Sequence, residues 1–493
     1  MEWAPLRIGW FTQTRRIEVA SMRYRCWHMA WALQRLGFES RIYTKAAALE
    51  AELPELDAVV VVKRLDEPAE RIVGAVKAAG KPVFLDLCDD LMSAEYKSEK
   101  RELHRSVFKV IGPQLDVLTT TTPSMAKRLR NYEGALCPIA VIPDMAETRQ
   151  VLAAVLSYAH GLPAAAPAPT RARPLRSPAR RGPRRVLWFG NHGAPHSNFG
   201  ILSLIPATVA LRAAHVRMAL ELVVLSNHRE KFEVVVSELG VPCRYVEWAP
   251  EAAYDELEAA DMVLLTNGDD GFSEVKSPNR ALQALATGTP VAATSSPALL
   301  ELGDCVVLDD LGAGLQRYLT DPESAAKDVE KGRSLIARRY APAVVAQAWA
   351  ELLRGSGPAR APLAPQIAAS SEPIRVLILI EAPEDLAPAA ARIAEAREHQ
   401  AKPMVMLTPA LRGRARPVID FLIDQRIIPT MASSEDLQTG DARWLRAADL
   451  LAAGRRDGVL SPACAALARL AEVNGVGRIS LDEDLGPLSV RRP

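Results

Sequence analysis

Within residues 269–280 the chain sets Asp269 and Asp270 ahead of Phe272, Ser273, Glu274, Lys276, Ser277, Asn279 and Arg280. This loop runs straight into the apolar segment Ala281, Leu282, Gln283, Ala284, Leu285, Ala286, which stops at Gly288 before Pro290 and Val291. A polar loop that discharges into a helix faces the helix's free N–H groups and its positive end, an arrangement suited to a diphosphate. Lys276 offers a point charge and Arg280 a planar fork of donors, so both are candidates for stabilising a departing phosphate. Ser277 and Asn279 add neutral hydrogen-bonding groups.

Other candidates stand at the ends of apolar runs. The run 82–87 ends in Asp86, Leu87, Cys88, Asp89 and Asp90. Asp89 and Asp90 are candidate catalytic carboxylates that could orient a sugar hydroxyl or act as a base, and they could equally cap a helix. The run 185–189 exits into Gly190, Asn191, His192 and Gly193, with His196, Ser197 and Asn198 following. A glycine there lets backbone approach a phosphate, and either histidine could donate to one or simply be exposed. The spacing is not the dinucleotide fingerprint, which disfavours NAD. Ser226 with Asn227, and Glu247 with Trp248, close two later runs; Trp248 could cover a nucleobase or wall the core. Near the N-terminus, Thr12 to Arg16 and Ser21 to Arg25 suit an anionic ligand, or pair with surface acids.

The elements that must hold these residues follow a βαβ rhythm. Strands are expected at 7–11, 39–43, 58–62, 82–87, 117–120 and 139–142, with helices at 25–36, 68–79, 98–111 and 124–131 between them. A second series has strands at 185–189, 220–225, 243–246, 262–266, 291–293 and 306–308 and finishes in one long helix ending near Leu353. A third has strands at 375–380, 403–407, 427–431, 458–461 and 478–481 and helices at 386–399, 417–425, 442–453 and 462–474. Such alternation predicts mostly parallel sheets covered on both faces. The expected organisation is an N-terminal Rossmann-like unit, 1–158, on the acceptor side; a Pro/Ala/Arg linker, 159–184; a donor-binding Rossmann-like unit, 185–354; a second linker, 355–373; and a smaller α/β unit of binding or oligomerising type, 374–493. No acid occurs between Glu147 and Glu221, so the first linker is basic, a solvated tether or a contact for anionic lipid.

Bulk properties exclude several classes. The 493 residues are 49% hydrophobic and 24% charged with net charge +1, which argues against a dedicated nucleic-acid binder. No apolar run approaches a membrane span, and the N-terminus carries no secretory pattern, so a cytoplasmic protein is expected, with contact at the inner membrane face through the basic linker. Cys26, Cys88, Cys137, Cys243, Cys305 and Cys464 are scattered without metal-ligand spacing and read as buried thiols; no metal site is expected.

The 276–291 segment resembles the donor-site motif of retaining GT-B glycosyltransferases of family four. Tyr254 to Leu257 with Ala259 to Leu265, Leu118 to Ser124, and Val141 to Asp144 are similar to the family's flanking segments, and Tyr340 with the following helix to its closing helix. The resemblance covers about residues 5–355. It implies two facing Rossmann-like domains, a nucleotide-diphosphate sugar as donor, a glycan or lipid-linked acceptor, no obligatory metal or cofactor, and a place in bacterial polysaccharide biosynthesis. It also implies a pair of glutamates seven residues apart, near the donor sugar and the ribose. Here Gln283 stands at the second position, and Glu274 lies beside the first, which is Val275. Gln283 can still bond ribose hydroxyls, and relatives with a similar Lys-Ser loop exist. The resemblance thus implies a hexosyl transfer carried by Lys276 and Arg280. The incomplete pair keeps open a non-catalytic nucleotide-sugar-binding protein, and the same architecture a nucleotide-sugar epimerase.

Overall fold

The computed structural model describes residues 5–93, 100–162, 182–190, 200–268, 271–355, 373–439, 448–454, 461–473 and 476–481. Three parallel sheets organise them. The first joins β1 (Arg7–Phe11), β2 (Glu39–Tyr43), β3 (Ala58–Val62), β4 (Val83–Leu87), β5 (Val117–Thr120) and β6 (Ile139–Val141) in the order β2-β1-β3-β4-β5-β6. Strand β3 is buried along its whole length, which is why its valine run does not alternate with polar residues.

The second sheet joins β7 (Arg184–Phe189), β8 (Leu220–Ser226), β9 (Cys243–Glu247), β10 (Met262–Leu265), β11 (Val291–Ala293) and β12 (Val307–Leu308) in the order β12-β11-β10-β7-β8-β9. Strand order therefore reverses between β1 and β3 in one sheet and between β7 and β10 in the other. Crevices for ligands open outside the carboxyl ends of strands at such reversals.

Two helices stitch these sheets together. The helix Arg149–Ala159, absent from the sequence expectation, is capped by the Thr148 hydroxyl accepting from Val151 N. Its Val151 and Val155 pack in the first core, while Leu152 packs in the second. The single long helix expected to end near Leu353 is instead two, Pro322–Arg339 and Pro342–Leu353. Pro342 lacks the N–H that would continue the first, but suits the opening turn of the second. That break sends the last helix back to the first sheet, where Trp349 meets Trp10 edge-on with ring centroids 5.6 Å apart.

The third sheet joins β13 (Arg375–Ile380), β14 (Lys402–Leu407), β15 (Thr430–Met431), β16 (Leu450–Ala453) and β17 (Gly477–Ser480) in the order β15-β14-β13-β16-β17. The helix expected over 442–453 is corrected here: residues 450–453 form a buried strand beside β13, and 442–447 lie outside the described residues. Four apolar residues bounded by Asp449 and Gly454 are too short a run for periodicity to separate a buried strand from a helix. One face of this sheet continues the apolar core of the second, so Ile378 and Val418 belong to the same cluster as Val186 and Trp188. Arg212 bonds Asp420 at 2.6 Å and Arg412 bonds Glu233 at 2.7 Å along that seam. Of the six cysteines, Cys88 and Cys243 are partly exposed rather than buried, and all six are free thiols.

Candidate active site

The carboxyl ends of β4, β5 and β6 face the loop that leads into the helix Asn279–Thr287. Near the N-terminus a helical stretch passes through one π-helical turn, Arg23–Trp27, which brings Arg23 and Arg25 both inward. Arg25 forks onto Asp86 with contacts of 2.8 and 2.6 Å and reaches Asp144 at 3.0 Å. Arg23 bonds Glu147 at 2.7 Å, and His28 Nε2 lies 2.9 Å from the same carboxylate. Burial alone would raise the Glu147 carboxyl; Arg23 and His28 overturn this and hold it down at about 2. These arginines are thus neither solvated nor paired with surface acids. Their partners are interior carboxylates.

The second unit completes these networks. Gln283 Nε2 donates to Glu147 Oε1 at 2.8 Å, and Tyr254 Oη donates to the same oxygen at 3.0 Å. Ser277 Oγ and Asn279 Nδ2 both donate to Asp144 Oδ2, at 2.8 and 2.7 Å. Val275 inserts into the first unit's core, and its carbonyl accepts from Thr122 Oγ1 at 3.1 Å. Glu274 has an exposed side chain, while its carbonyl accepts from Ser124. The residues expected to hold a ligand therefore also close the seam between the two sheets.

Two acids at the end of β4 have separate fates. Asp90 is buried and accepts from Arg128 Nε at 2.5 Å, from Tyr132 Oη at 2.8 and 2.9 Å, and from Met92 N. Burial raises its carboxyl above the usual value, and these partners only partly offset that. Asp89 sits at the rim between two ammonium groups, Lys63 from the first unit and Lys276 from the second. Desolvation would raise the Asp89 carboxyl, yet the two lysines hold it well below the usual carboxylate range. Lys276 also lies 4.1 Å from the centroid of the Phe272 ring. Neither Asp89 nor Asp90 caps a helix.

Arg280 occupies the reversal point of the second sheet. Its Nη1 donates to the carbonyl of Phe189 at the end of β7, at 3.2 Å, and Nη2 to Asn267 Oδ1 beyond β10, at 3.1 Å. Gly190 makes room for it: a Cβ there would lie 3.1 Å from Arg280 Nη1 and 3.4 Å from the Trp188 ring. Both acceptors are neutral, and Arg280 has no carboxylate partner among the described residues. Burial accordingly pushes its guanidinium down to about 10. Among the described residues the Arg280 charge thus meets only neutral dipoles, at the crevice where strand order reverses.

The remaining candidates are dispersed. Trp248 is half-buried against the second core, with the Arg23 guanidinium 5.8 Å from its ring centroid. Asn227 is exposed at the end of β8. Asn191, His192, His196, Asp269 and Asp270 lie outside the described residues. Arg15 lines an open cavity of about 670 Å³ with Trp27, Lys45 and Tyr158 on the flank of the first sheet, and among the described residues none of the second unit lines it. The participants that were not anticipated include Lys63, Asp144 and Glu147, and with them His28, Arg128, Tyr132 and Asn267. Of these, Asp144 and Glu147 follow within a few residues of Ile142-Pro143, just past the end of β6, a strand-end position that could have flagged them. Among the described residues no group of His, Cys, Asp and Glu is arranged to hold a metal ion, and no helix is long and apolar enough to cross a membrane.

No family model matches this chain, and no curated protein matches it. Its fold is similar to that of Anabaena Alr3699/HepE in complex with UDP, at TM-score 0.50 and 13% identity, covering 71% of this chain and 100% of that one. Sucrose-phosphate synthase from Thermosynechococcus elongatus gives 0.49 and 16% over 71% and 98% of the two chains. A trehalose-6-phosphate structure from E. coli bound with UDP-2-fluoro glucose gives 0.49 and 11% over 71% and 99%. The likeness is one of fold. The chain is α/β throughout, with two facing Rossmann-like units in the GT-B arrangement and a third, smaller parallel unit packed on the second.

Proposed function

We propose that this protein is a glycosyltransferase that moves a sugar from a nucleotide-diphosphate donor to a glycan or lipid-linked acceptor, with retention at the anomeric carbon. The observation that carries this reading is Arg280, a guanidinium at the β7/β10 reversal whose two acceptors among the described residues are both neutral. The helix Asn279–Thr287 adds its positive end at the same place. As the bond from the anomeric carbon to the phosphate oxygen breaks, its electron pair leaves on the diphosphate, and Arg280, Lys276 and the helix amides stabilise that charge. The acceptor hydroxyl forms the new bond to that carbon from the face the diphosphate leaves, its proton passes to the departing phosphate oxygen, and positioning of the acceptor supplies much of the remainder. Asp89 suits positioning better than proton abstraction, because a carboxylate held so far down is a weak base.

Donor entry requires the seam to part, since Ser277 and Asn279 are tied to Asp144 and Lys276 to Asp89. A second reading has its own observation. Gln283 is committed to Glu147 rather than turned to the cleft, which fits a nucleotide-sugar-binding protein without turnover.

The test is a screen of UDP-, GDP- and ADP-sugars by thermal shift, followed by assay of diphosphate release with and without acceptors. One donor is expected to stabilise the protein by about 3 kcal/mol at a hundredfold excess over its dissociation constant. Arg280→Ala abolishes that stabilisation. Binding with no release or transfer selects the second reading, and no stabilisation by any donor overturns both.

A further inference from the structure

Beyond the ends of β10 and β11 the strand ladder is continued by a side chain. Thr294 N donates to the carbonyl of Leu265 at 3.0 Å, as a ladder partner would, and the next bond runs from Asn267 N to Thr294 Oγ1 at 2.8 Å. The backbone of Asn267 is therefore fixed before its side chain is placed. That side chain is then held at both ends: Nδ2 donates to the carbonyl of Thr294 at 3.0 Å, and Oδ1 accepts from Arg280 Nη2 at 3.1 Å. A carbonyl only accepts and a guanidinium only donates, so one orientation of the amide satisfies both and the flipped one satisfies neither. Arg280 is thus met by an oxygen that carries no formal charge.

The same restriction to neutral groups holds on the other side of the guanidinium. Nη1 donates to the Phe189 carbonyl at 3.2 Å, and the Trp188 ring lies 5.8 Å away. Trp188 is itself fixed by a hydroxyl, its Nε1 donating to Thr266 Oγ1 at 3.1 Å, and Thr266 shares a 2.7 Å hydrogen bond with Ser203. Among the described residues the ends of β7 and β10 thus offer Arg280 amide, indole and carbonyl groups and no carboxylate. An aspartate at 267 would have the size and reach of asparagine and would cancel the cation. Asparagine anchors the fork and leaves its charge.

We infer that Asn267 is a positioning residue for the leaving diphosphate: its amide, oriented by the Thr294 carbonyl, fixes one arm of the Arg280 fork at the β7/β10 reversal without cancelling the charge that meets the phosphate. This rests on the proposed transferase reading and deepens it by naming the group that aims its principal cation. With Nη1 and Nη2 both anchored, the plane of the guanidinium is set before a ligand arrives. A donor set in advance loses less freedom on binding than one the ligand must order. The anchors take one N–H from each terminal nitrogen, and a guanidinium has more to offer an anion. Asn267 acts through Arg280, with no bond made or broken on it.

The experiment measures, by calorimetry, binding of UDP, GDP and ADP, each against its own nucleoside. The proteins are wild type, Asn267→Asp, Asn267→Ala, Arg280→Lys, Arg280→Ala and the double variant Asn267→Ala with Arg280→Lys. Asn267→Asp keeps an oxygen for the fork but adds the cancelling charge, and is expected to weaken the diphosphate about a hundredfold with nucleoside affinity unchanged. Asn267→Ala removes the anchor and keeps the charge, with an expected loss of about fivefold. A residue that merely filled space would show the reverse order, because aspartate preserves the shape and alanine does not. In the Arg280→Lys background, where the arm held by Asn267 is gone, Asn267→Ala is expected to add less than about twofold. Undiminished diphosphate affinity in Asn267→Asp, alongside its loss in Arg280→Ala, overturns the positioning role and leaves the transferase reading standing. The reverse order of losses, or a fully additive loss in the double variant, does the same. Failure of wild type to bind any diphosphate sinks both. Melting temperatures show which variants fold, and the double variant decides the matter if aspartate is not tolerated at 267.

Discussion

Two carboxylate clusters of the first unit face its seam with the second, and they use different cations. In the inner one Asp86, Asp144 and Glu147 meet Arg23 and Arg25, and the Arg25–Asp86 pair is 0% exposed on both sides. In the outer one Asp89 meets Lys63 and Lys276 at the water's edge. Guanidinium forks lock onto carboxylates in two parallel bonds and tolerate burial, whereas ammonium groups are compact, strongly hydrated and on flexible stems. The inner arginine–carboxylate pairs thus resemble a permanent strut within the first unit, and the outer one a contact across the seam that water reaches. The same pairing of a cation with a carboxylate takes unequal mechanical roles because water reaches only one of the clusters.

The sharpest test of that contrast is Arg25→Met. It leaves Asp86 and Asp144 buried without their main cation, and a loss of about 3–5 kcal/mol is expected, read as a fall in denaturation midpoint. Somewhat smaller is the acid sensitivity of Glu147. Its carboxyl titrates near 4.5 when unfolded and about 2 when folded, so its contribution is complete above about pH 4.5 and is lost as pH falls towards 2. Wild type is expected to shed roughly 3 kcal/mol across that window, and Glu147→Gln, already destabilised, to show a flatter profile of melting temperature against pH. An equally steep profile in Glu147→Gln would mean that other acids dominate.

Next comes Lys276→Ala, in the outer cluster. The expected loss is about a hundredfold in sugar transfer with stability almost unchanged, since the lost donor matters only to the leaving charge. Equal loss of transfer and stability would make the outer cluster a strut as well. Smallest is Lys63→Met in the unfolding assay, where a partly exposed ion pair is worth less than about 1 kcal/mol. A loss as large as that of Arg25→Met would erase the distinction between the clusters.

Much of the fold was legible in the chain because βαβ units announce themselves locally. The β-branched run at β3, Gly37 and Gly80 after helices, and Gly288 before β11 each mark a boundary that the structure keeps. The misreadings have two causes: β16 depends on what lies alongside rather than on its own periodicity, whereas the break at Pro342 is written locally, in a proline that ends one helix and opens the next. The site divided in the same way. The 271–280 loop and its helix could be picked out by composition, yet Gln283 could not be seen to bond Glu147, which is 136 residues away in sequence. Lys63 gave no signal at all, because a lysine after a strand is ordinary until its backbone angle and its neighbour across the cleft are known.

What the sequence by itself determined is the set of layers, three runs of alternating strand and helix, and the loop in which Lys276 and Arg280 stand. Periodicity and turn chemistry act over a few residues, so they are written in order along the chain. Tertiary structure alone decided which cation meets which carboxylate, and whether water reaches the pair. Those choices turn on the reversal of strand order, the π-helical turn at Arg23–Trp27, and the return of the last helix to the first sheet. Electrostatic strength depends on distance and local dielectric, and both are set by parts of the chain far apart in sequence.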